Sequence, residues 1–196
     1  MQPQIHIVDD EETSRWLIEQ MLQGIGADFR VYTEAGKFLE SYSPVECECL
    51  ITDLRMPGAS GLELQRRLLE RGATIPVLFV SAYSEIAAAV TAVKLGAVDF
   101  LEKPVHAGEL REKVQAALNA SRELYAQQRQ RETRNARIAL LTSREREIAQ
   151  LIAEGRSNRE VAERFSLSTR TVENHRGRIM EKLRVRSAVE LARALE

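Results

Sequence analysis

Apolar residues in the first 125 positions recur in two alternating rhythms. Short apolar-rich stretches stand at 4–8, 29–32, 77–80 and 99–101, and a further one, Cys49-Leu50-Ile51-Thr52, leads into Asp53. Runs this short, bounded by turn residues, read as buried strands. Between them the spacing changes to three and four. Trp16, Leu17, Met21, Leu22 and Ile25 predict a first helix, with Gly24 and Gly26 at its end and Trp16 packed in the core. Helices are likewise expected at 35–42, at 61–71 (Leu62, Leu64, Leu68, Leu69) and at 86–95, where Gly96 ends the pattern. A longer one begins near Ala107, with Leu110, Val114, Ala117, Leu118, Ser121 and Leu124 along one stripe.

Strands and helices in strict alternation imply an α/β unit with a parallel sheet covered on both faces. Five strands of this kind suit the flavodoxin-like order 2-1-3-4-5. No Gly-x-Gly-x-x-Gly follows the first strand and no Walker-type glycine loop is present, so a dinucleotide or P-loop site is not expected. Two acids rather than a phosphate-binding loop follow strand one, which also disfavours a flavin site.

From Leu141 onward the pattern is helical throughout. Thr142-Ser143-Arg144-Glu145, Ser157-Asn158-Arg159-Glu160 and Ser187-Ala188-Val189-Glu190 each fit the S/T-x-x-E capping box and each opens an apolar-periodic segment. Ile148, Leu151 and Ile152 mark the first helix, with Gly155 as its stop. Val161, Ala162 and Phe165 mark the second, and after Ser166-Leu167 a third carries Val172, His175, Ile179 and Leu183. Val189, Leu191, Ala192 and Leu195 mark a fourth. Two short helices joined by so brief a turn describe a helix-turn-helix, whose second helix enters the DNA major groove. That helix is expected at 169–182. Its apolar stripe, with His175 packed against the scaffold, leaves Arg170, Thr171, Glu173, Asn174, Arg176, Gly177, Arg178 and Lys182 outside. Arginine suits phosphates and guanine, Asn can pair with adenine, and Glu can accept from cytosine. A charged helix face by itself is more often simply solvated.

Charge separates the two halves. Residues 1–120 hold 11 Lys and Arg against 18 Asp and Glu, a net of −7, and residues 121–196 hold 17 against 11, a net of +6. An acidic half and a basic half in one chain suggest separate domains, the basic one facing nucleic acid. The expected limits are 1–120 and 139–196. The segment 121–138 between them has good helix formers, no glycine or proline and no obvious core stripe, so it reads as a solvated helical linker, with a flexible linker as the rival. With 44% apolar and 29% charged residues the composition is that of ordinary soluble protein. No membrane span and no signal peptide are expected, and Cys47 and Cys49 are expected as free thiols in a reducing cytoplasm.

Candidate chemistry gathers at the strand ends. The first strand runs into Asp9-Asp10, the third into Asp53, the fourth into Ser81 and the fifth into Lys103-Pro104. A lone aspartate after a strand is usually a turn or cap residue. Parallel strands, however, would collect all five side chains at one sheet edge, where α/β ligands bind. Clustered carboxylates suit a hard divalent cation, and Mg2+ takes carboxylates, waters and phosphate oxygens. A lysine and a hydroxyl beside it suit an anion, and the set fits a phosphoryl group carried on Asp53.

Asp9-Asp10, Asp53, Ser81-Ala82 and Lys103-Pro104 resemble the receiver domain of two-component response regulators. The stretch Leu141-Thr142-Ser143-Arg144-Glu145-Arg146-Glu147, with Ser157-Asn158 and Thr171-Val172-Glu173-Asn174-His175, resembles the LuxR/NarL DNA-binding module. Together they look like the FixJ subgroup over nearly the whole chain. The resemblance implies a cytoplasmic transcription regulator whose only catalysis is its own phosphorylation and dephosphorylation. A sensor histidine kinase would be the donor and Asp53 the phosphoacceptor. Mg2+ (or Mn2+) would be held by Asp10, Asp53 and the backbone carbonyl of Arg55, with Asp9 acting through a water. Lys103 and Ser81, often Thr in relatives, would bond the phosphoryl oxygens. Phe100 would be the aromatic switch residue, turning inward as Ser81 moves. The phosphorylated form would dimerise through Ile86, Val90, Val93 and Phe100, bind a promoter inverted repeat and engage RNA polymerase. Relatives often carry Lys where this chain has Glu173. Two rivals remain. A haloacid-dehalogenase-type phosphatase would want an Asp where Arg55 stands, and a phosphate-independent regulator would use the receiver only to dimerise.

Overall fold

A computed structural model describes residues 2–82 and 86–195. The chain divides into two compact units, Met1–Gln127 and Gln128–Glu196. In the first, strands β1 (Gln4–Val8), β2 (Asp28–Tyr32), β3 (Glu48–Thr52), β4 (Val77–Ser81) and β5 (Asp99–Glu102) alternate with α1 (Glu12–Leu22), α2 (Ala35–Ser41), α3 (Gly61–Glu70), α4 (Ile86–Lys94) and α5 (Ala107–Ala139). All pairings are parallel and the order is β2-β1-β3-β4-β5, as the alternation predicts.

Two cores lie on opposite faces of the sheet, because side chains alternate along each strand. Ile5, Ile7, Cys49, Ile51, Leu78 and Val80 pack with Ile18 and Leu22 of α1 and with Leu110, Val114 and Leu118 of α5. Val8, Leu50, Val77 and Phe79 pack with Phe38, Leu64, Leu68 and Ala92 from α2, α3 and α4. Both cysteines are free and buried. Desolvation pushes the Cys49 thiol far above its ordinary range.

The first helix corrects one expectation. Its inward face is Ser14, Ile18 and Leu22, and Trp16, expected in the core, is 56% exposed. At about 100° per residue, Trp16 lies some 200° from both Ser14 and Ile18, on the far side of the helix. In α3 the buried residues include Gln65, whose amide donates to the Ala92 carbonyl at 3.2 Å, while Leu69 is exposed. The segment expected as a linker is helical and continuous with α5.

The second unit holds α6 (Ser143–Ala153), α7 (Asn158–Phe165), α8 (Thr169–Leu183) and α9 (Ala188–Leu195). Ile148, Ile152, Val161, Val172, Ile179, Leu183 and Leu191 form its core. Full capping boxes open α6 at Thr142 and α7 at Ser157. The third is a variant: Ser187 accepts from the Glu190 amide, but the Glu190 carboxylate accepts from the Arg186 amide, one residue earlier. Between α7 and α8, Ser166 takes a left-handed conformation (φ 55°) that turns the chain, and Ser168 caps α8.

Glu145 ties this unit together. Its carboxylate closes the α6 capping box and also accepts from Lys182 near the end of α8. The Lys182 hydrogen bond, followed by that of the Thr142 amide, lowers its pKa to about 2. A depressed carboxylate contributes stability that is present above its unfolded pKa and lost as pH falls through the folded value. The second unit is therefore expected to lose stability progressively from about pH 4.5 towards 2. Urea unfolding of the wild type and Glu145→Gln across that range checks this, since the glutamine variant should show a shallower pH dependence.

Candidate functional site: an acidic pocket and a helix-turn-helix

Asp9 and Asp53 are neighbours because β1 and β3 pair with Val8 opposite Thr52. The Asp53 amide donates to the Val8 carbonyl at 3.0 Å, which continues the ladder one step past both strands. On the other side, β4 and β5 pair with Ser81 opposite Glu102, and the Lys103 amide donates to the Ser81 carbonyl at 2.9 Å. Residues distant in sequence thus meet at one edge of the sheet.

The pocket is strongly polarised. Carboxylate oxygens of Asp9, Asp10 and Asp53 lie within 4.8 Å of one another. Asp9 is buried, Asp53 half-buried and Asp10 exposed. The Lys103 ammonium is 2.8 Å from Asp9 Oδ2 and 3.9 Å from Asp53 Oδ2, so it is shared between two acids and answers their mutual repulsion. Asp53 Oδ1 accepts from the Leu54 amide at 2.6 Å. Ser81 is fully buried. Three oxygen-donor acids converging from two adjacent strand ends are a donor set suited to a hard divalent cation.

Behind the pocket, α3 starts in close contact with it. The Gly61 amide donates to the Leu54 carbonyl, and a Cβ on Gly61 would stand 2.2 Å from the Asp53 carbonyl oxygen and 2.9 Å from the Phe79 ring. A side chain there would push against the backbone that carries Asp53. Sequence patterning did not single out Gly61, nor Ser14 and Arg15, which bind Asp9 from α1. Ser14 Oγ donates to Asp9 Oδ2 at 2.6 Å, and Arg15 Nη1 donates to the Asp9 carbonyl at 2.7 Å. Only a polar residue at an inward helical position could have pointed to Ser14.

On the α4–β5 side, Ile86, Val90 and Val93 are exposed, at 82, 46 and 55%. Phe100 is half-buried and stacks on Phe79, with ring centroids 5.9 Å apart.

In the second unit, Arg170, Glu173, Asn174, Gly177 and Arg178 are exposed on α8, at spacings that place them along one side of the helix. Arg176 is half-buried, and its guanidinium donates to Asn158 Oδ1 at 3.3 Å. Lys182 is paired with Glu145, and Thr171 Oγ1 hydrogen-bonds to Ser168 Oγ. Of the residues read as outward-facing, Thr171, Arg176 and Lys182 thus have partners inside the domain. His175 is half-buried, with its Nδ1 enclosed. Among the described residues, no helix is long and apolar enough to cross a membrane.

Residues 5–115 match the response regulator receiver domain, and residues 139–195 match the bacterial regulatory proteins of the luxR family. The transcriptional regulatory protein FixJ of Azorhizobium caulinodans is 37% identical over 96% of this chain and 90% of its own. The transcriptional regulatory protein TdiR of Thauera aromatica is 38% identical over 95 and 82%. Among solved structures, the response regulator StyR has a TM-score of 0.85 at 32% identity, covering 100% of this chain and 98% of its own. Full-length FixJ from B. japonicum has a TM-score of 0.60 at 31% identity, covering 98 and 95%. The chain belongs to the two-component response regulators that join a receiver domain to a LuxR-family helix-turn-helix, the group that includes FixJ.

Proposed function

We propose that this regulator accepts a phosphoryl group from a sensor histidine kinase on Asp53 and then dimerises on DNA. The reading is carried by one observation: Asp53 stands at the end of β3 among the carboxylates of Asp9 and Asp10, with the Lys103 ammonium 3.9 Å from its Oδ2. That oxygen faces the cation, whereas Oδ1 is engaged by the Leu54 amide.

Asp53 Oδ2 attacks phosphorus. The new O–P bond forms as the N–P bond of the phosphohistidine breaks, and the imidazole leaves with the bonding pair and takes up a proton. Asp10, Asp53 and the Arg55 carbonyl would hold Mg2+ (or Mn2+), with Asp9 acting through a water, and the cation would supply charge neutralisation at the phosphoryl oxygens. Lys103 and the Ser81 hydroxyl bond those oxygens once the group is in place. Phe100 follows Ser81 inward, which alters the face bearing Ile86, Val90 and Val93, and two receivers pair there. Exposed apolar residues on α4 support that interface, because such patches tend to mark contact surfaces.

On DNA, Arg170, Glu173, Asn174 and Arg178 meet the major groove. Thr171, Arg176 and Lys182 fix the helix through Ser168, Asn158 and Glu145; Arg176 and Lys182 reach phosphates with their remaining N–H donors, and Thr171 does so with its one O–H where Ser168 donates the bond between them. Two such helices in a dimer fit a promoter inverted repeat with half-sites about 10–10.5 base pairs apart. The regulator works in the cytoplasm beside RNA polymerase.

Three measurements test this reading. With Mg2+ and a small phosphodonor, intact mass should show one lasting phosphoryl adduct on the wild type and none on Asp53→Asn. Steady turnover of the donor without an adduct would indicate a phosphatase instead. Light scattering of the phosphorylated protein should show a dimer that Val90→Asp abolishes, and a variant that still pairs fully would move the interface elsewhere. On duplexes, Glu173→Ala or Asn174→Ala should cost about 1–3 kcal/mol on the preferred site and little on scrambled DNA. Arg178→Ala should weaken binding to both and lower the salt slope by about one if that arginine meets a phosphate.

A further inference from the structure

We propose that Ser14 is a positioning residue of the phosphoryl-transfer site: its hydroxyl holds Asp9 Oδ2 so that Lys103 can leave that oxygen for the phosphoryl group on Asp53. The inference rests on the reading of Asp53 as phosphoacceptor.

Asp9 is almost wholly enclosed, and each of its carboxylate oxygens has a donor. Oδ1 accepts from the Glu11 amide at 2.9 Å. Oδ2 accepts both from Lys103 Nζ at 2.8 Å and from Ser14 Oγ at 2.6 Å. Arg15 holds the carbonyl of the same residue, so α1 grips Asp9 through main chain and side chain together. Lys103 is the only donor of this set that must change partners during phosphorylation. Its ammonium starts nearer Asp9 than Asp53, and bonding a phosphoryl oxygen takes it away from Oδ2.

A buried carboxylate oxygen stripped of its last donor is costly. Ser14 removes that cost. Its own residue is buried in the first turn of α1, and its short, charge-assisted hydrogen bond stays in place when the lysine departs. Alanine at this position would leave Lys103 as the sole partner of Oδ2 and would hold it at Asp9. Phosphorylation then slows because the cation arrives late at the phosphoryl oxygens. Divalent binding does not weaken, because all three acids are retained. Truncating a purely space-filling serine would leave divalent binding and the phosphorylation rate alike unchanged.

The experiment uses the full-length protein. Mg2+ affinity is read by calorimetry, and phosphorylation by acetyl phosphate at saturating Mg2+ is followed by intact mass. Ser14→Ala should phosphorylate about tenfold more slowly, the scale set by one hydrogen bond to a charged group. Its Mg2+ affinity should remain undiminished, and Ser14→Thr, which keeps the hydroxyl, should regain most of the rate. Three results would overturn the proposal. One is Ser14→Ala phosphorylating at the wild-type rate. Another is a rate that falls only in step with lost Mg2+ affinity. The third is a Ser14→Thr variant that is folded by circular dichroism yet no faster than alanine. A wild-type protein that acquires no adduct would instead overturn the phosphoacceptor reading, and the role of Ser14 with it.

Discussion

Across the centre of the sheet, Val8 faces Thr52, and the geometry of the acidic pocket follows from that pairing. Parallel strands sit about 4.8 Å apart, so the residues that follow them emerge side by side. Here those residues are Asp9 and Asp53, two anions placed by backbone hydrogen bonds rather than by any attraction between them. The apolar layers on both faces of the sheet supply the driving force that holds them there. Lys103 arrives from β5 to offset the repulsion, and Ser81 arrives from β4 because the Lys103 amide continues that ladder as well. Gly61 belongs to the same constraint, since any larger residue would collide with the carbonyl of Asp53.

Much of this was legible in the sequence, for a physical reason. A buried strand is a short apolar run, and its last residue lies at the sheet edge whatever the tertiary details. Asp9, Asp53, Ser81 and Lys103 could therefore be assigned to one edge once the strands were taken as parallel. Helix faces were less legible. Counting apolar residues placed Trp16 inward, yet α1 turns Ser14 to the sheet, because a serine can satisfy a buried carboxylate where a hydrophobic residue cannot. Gln65 in α3 shows the same pattern, buried through its bond to the Ala92 carbonyl while Leu69 stays outside.

The second unit repeats the contrast between local and distant signals. Capping boxes are encoded within four residues, and two of the three form in full, with the third shifted by one residue. The Glu145–Lys182 pair spans 37 positions, and the Arg176–Asn158 bond spans 18. No periodicity announces such links, so residues that look free on a helical wheel prove to be struts of the domain. Of the residues read as outward-facing, those that remain exposed on α8 are a narrower set: Arg170, Glu173, Asn174, Gly177 and Arg178.

The two cysteines, silent in the chemistry, give the molecule a built-in clock. Both are enclosed against α5 and the sheet, with Cys47 Sγ donating to the Leu118 carbonyl, and the chain contains no other thiol. An alkylating reagent can reach them only when this part of the receiver opens, so the modification rate tracks the opening free energy of that unit alone. The helix-turn-helix unit contributes no thiol to the signal. Loosening of one half of the protein can thus be timed within the intact chain, without a label and without cutting it in two.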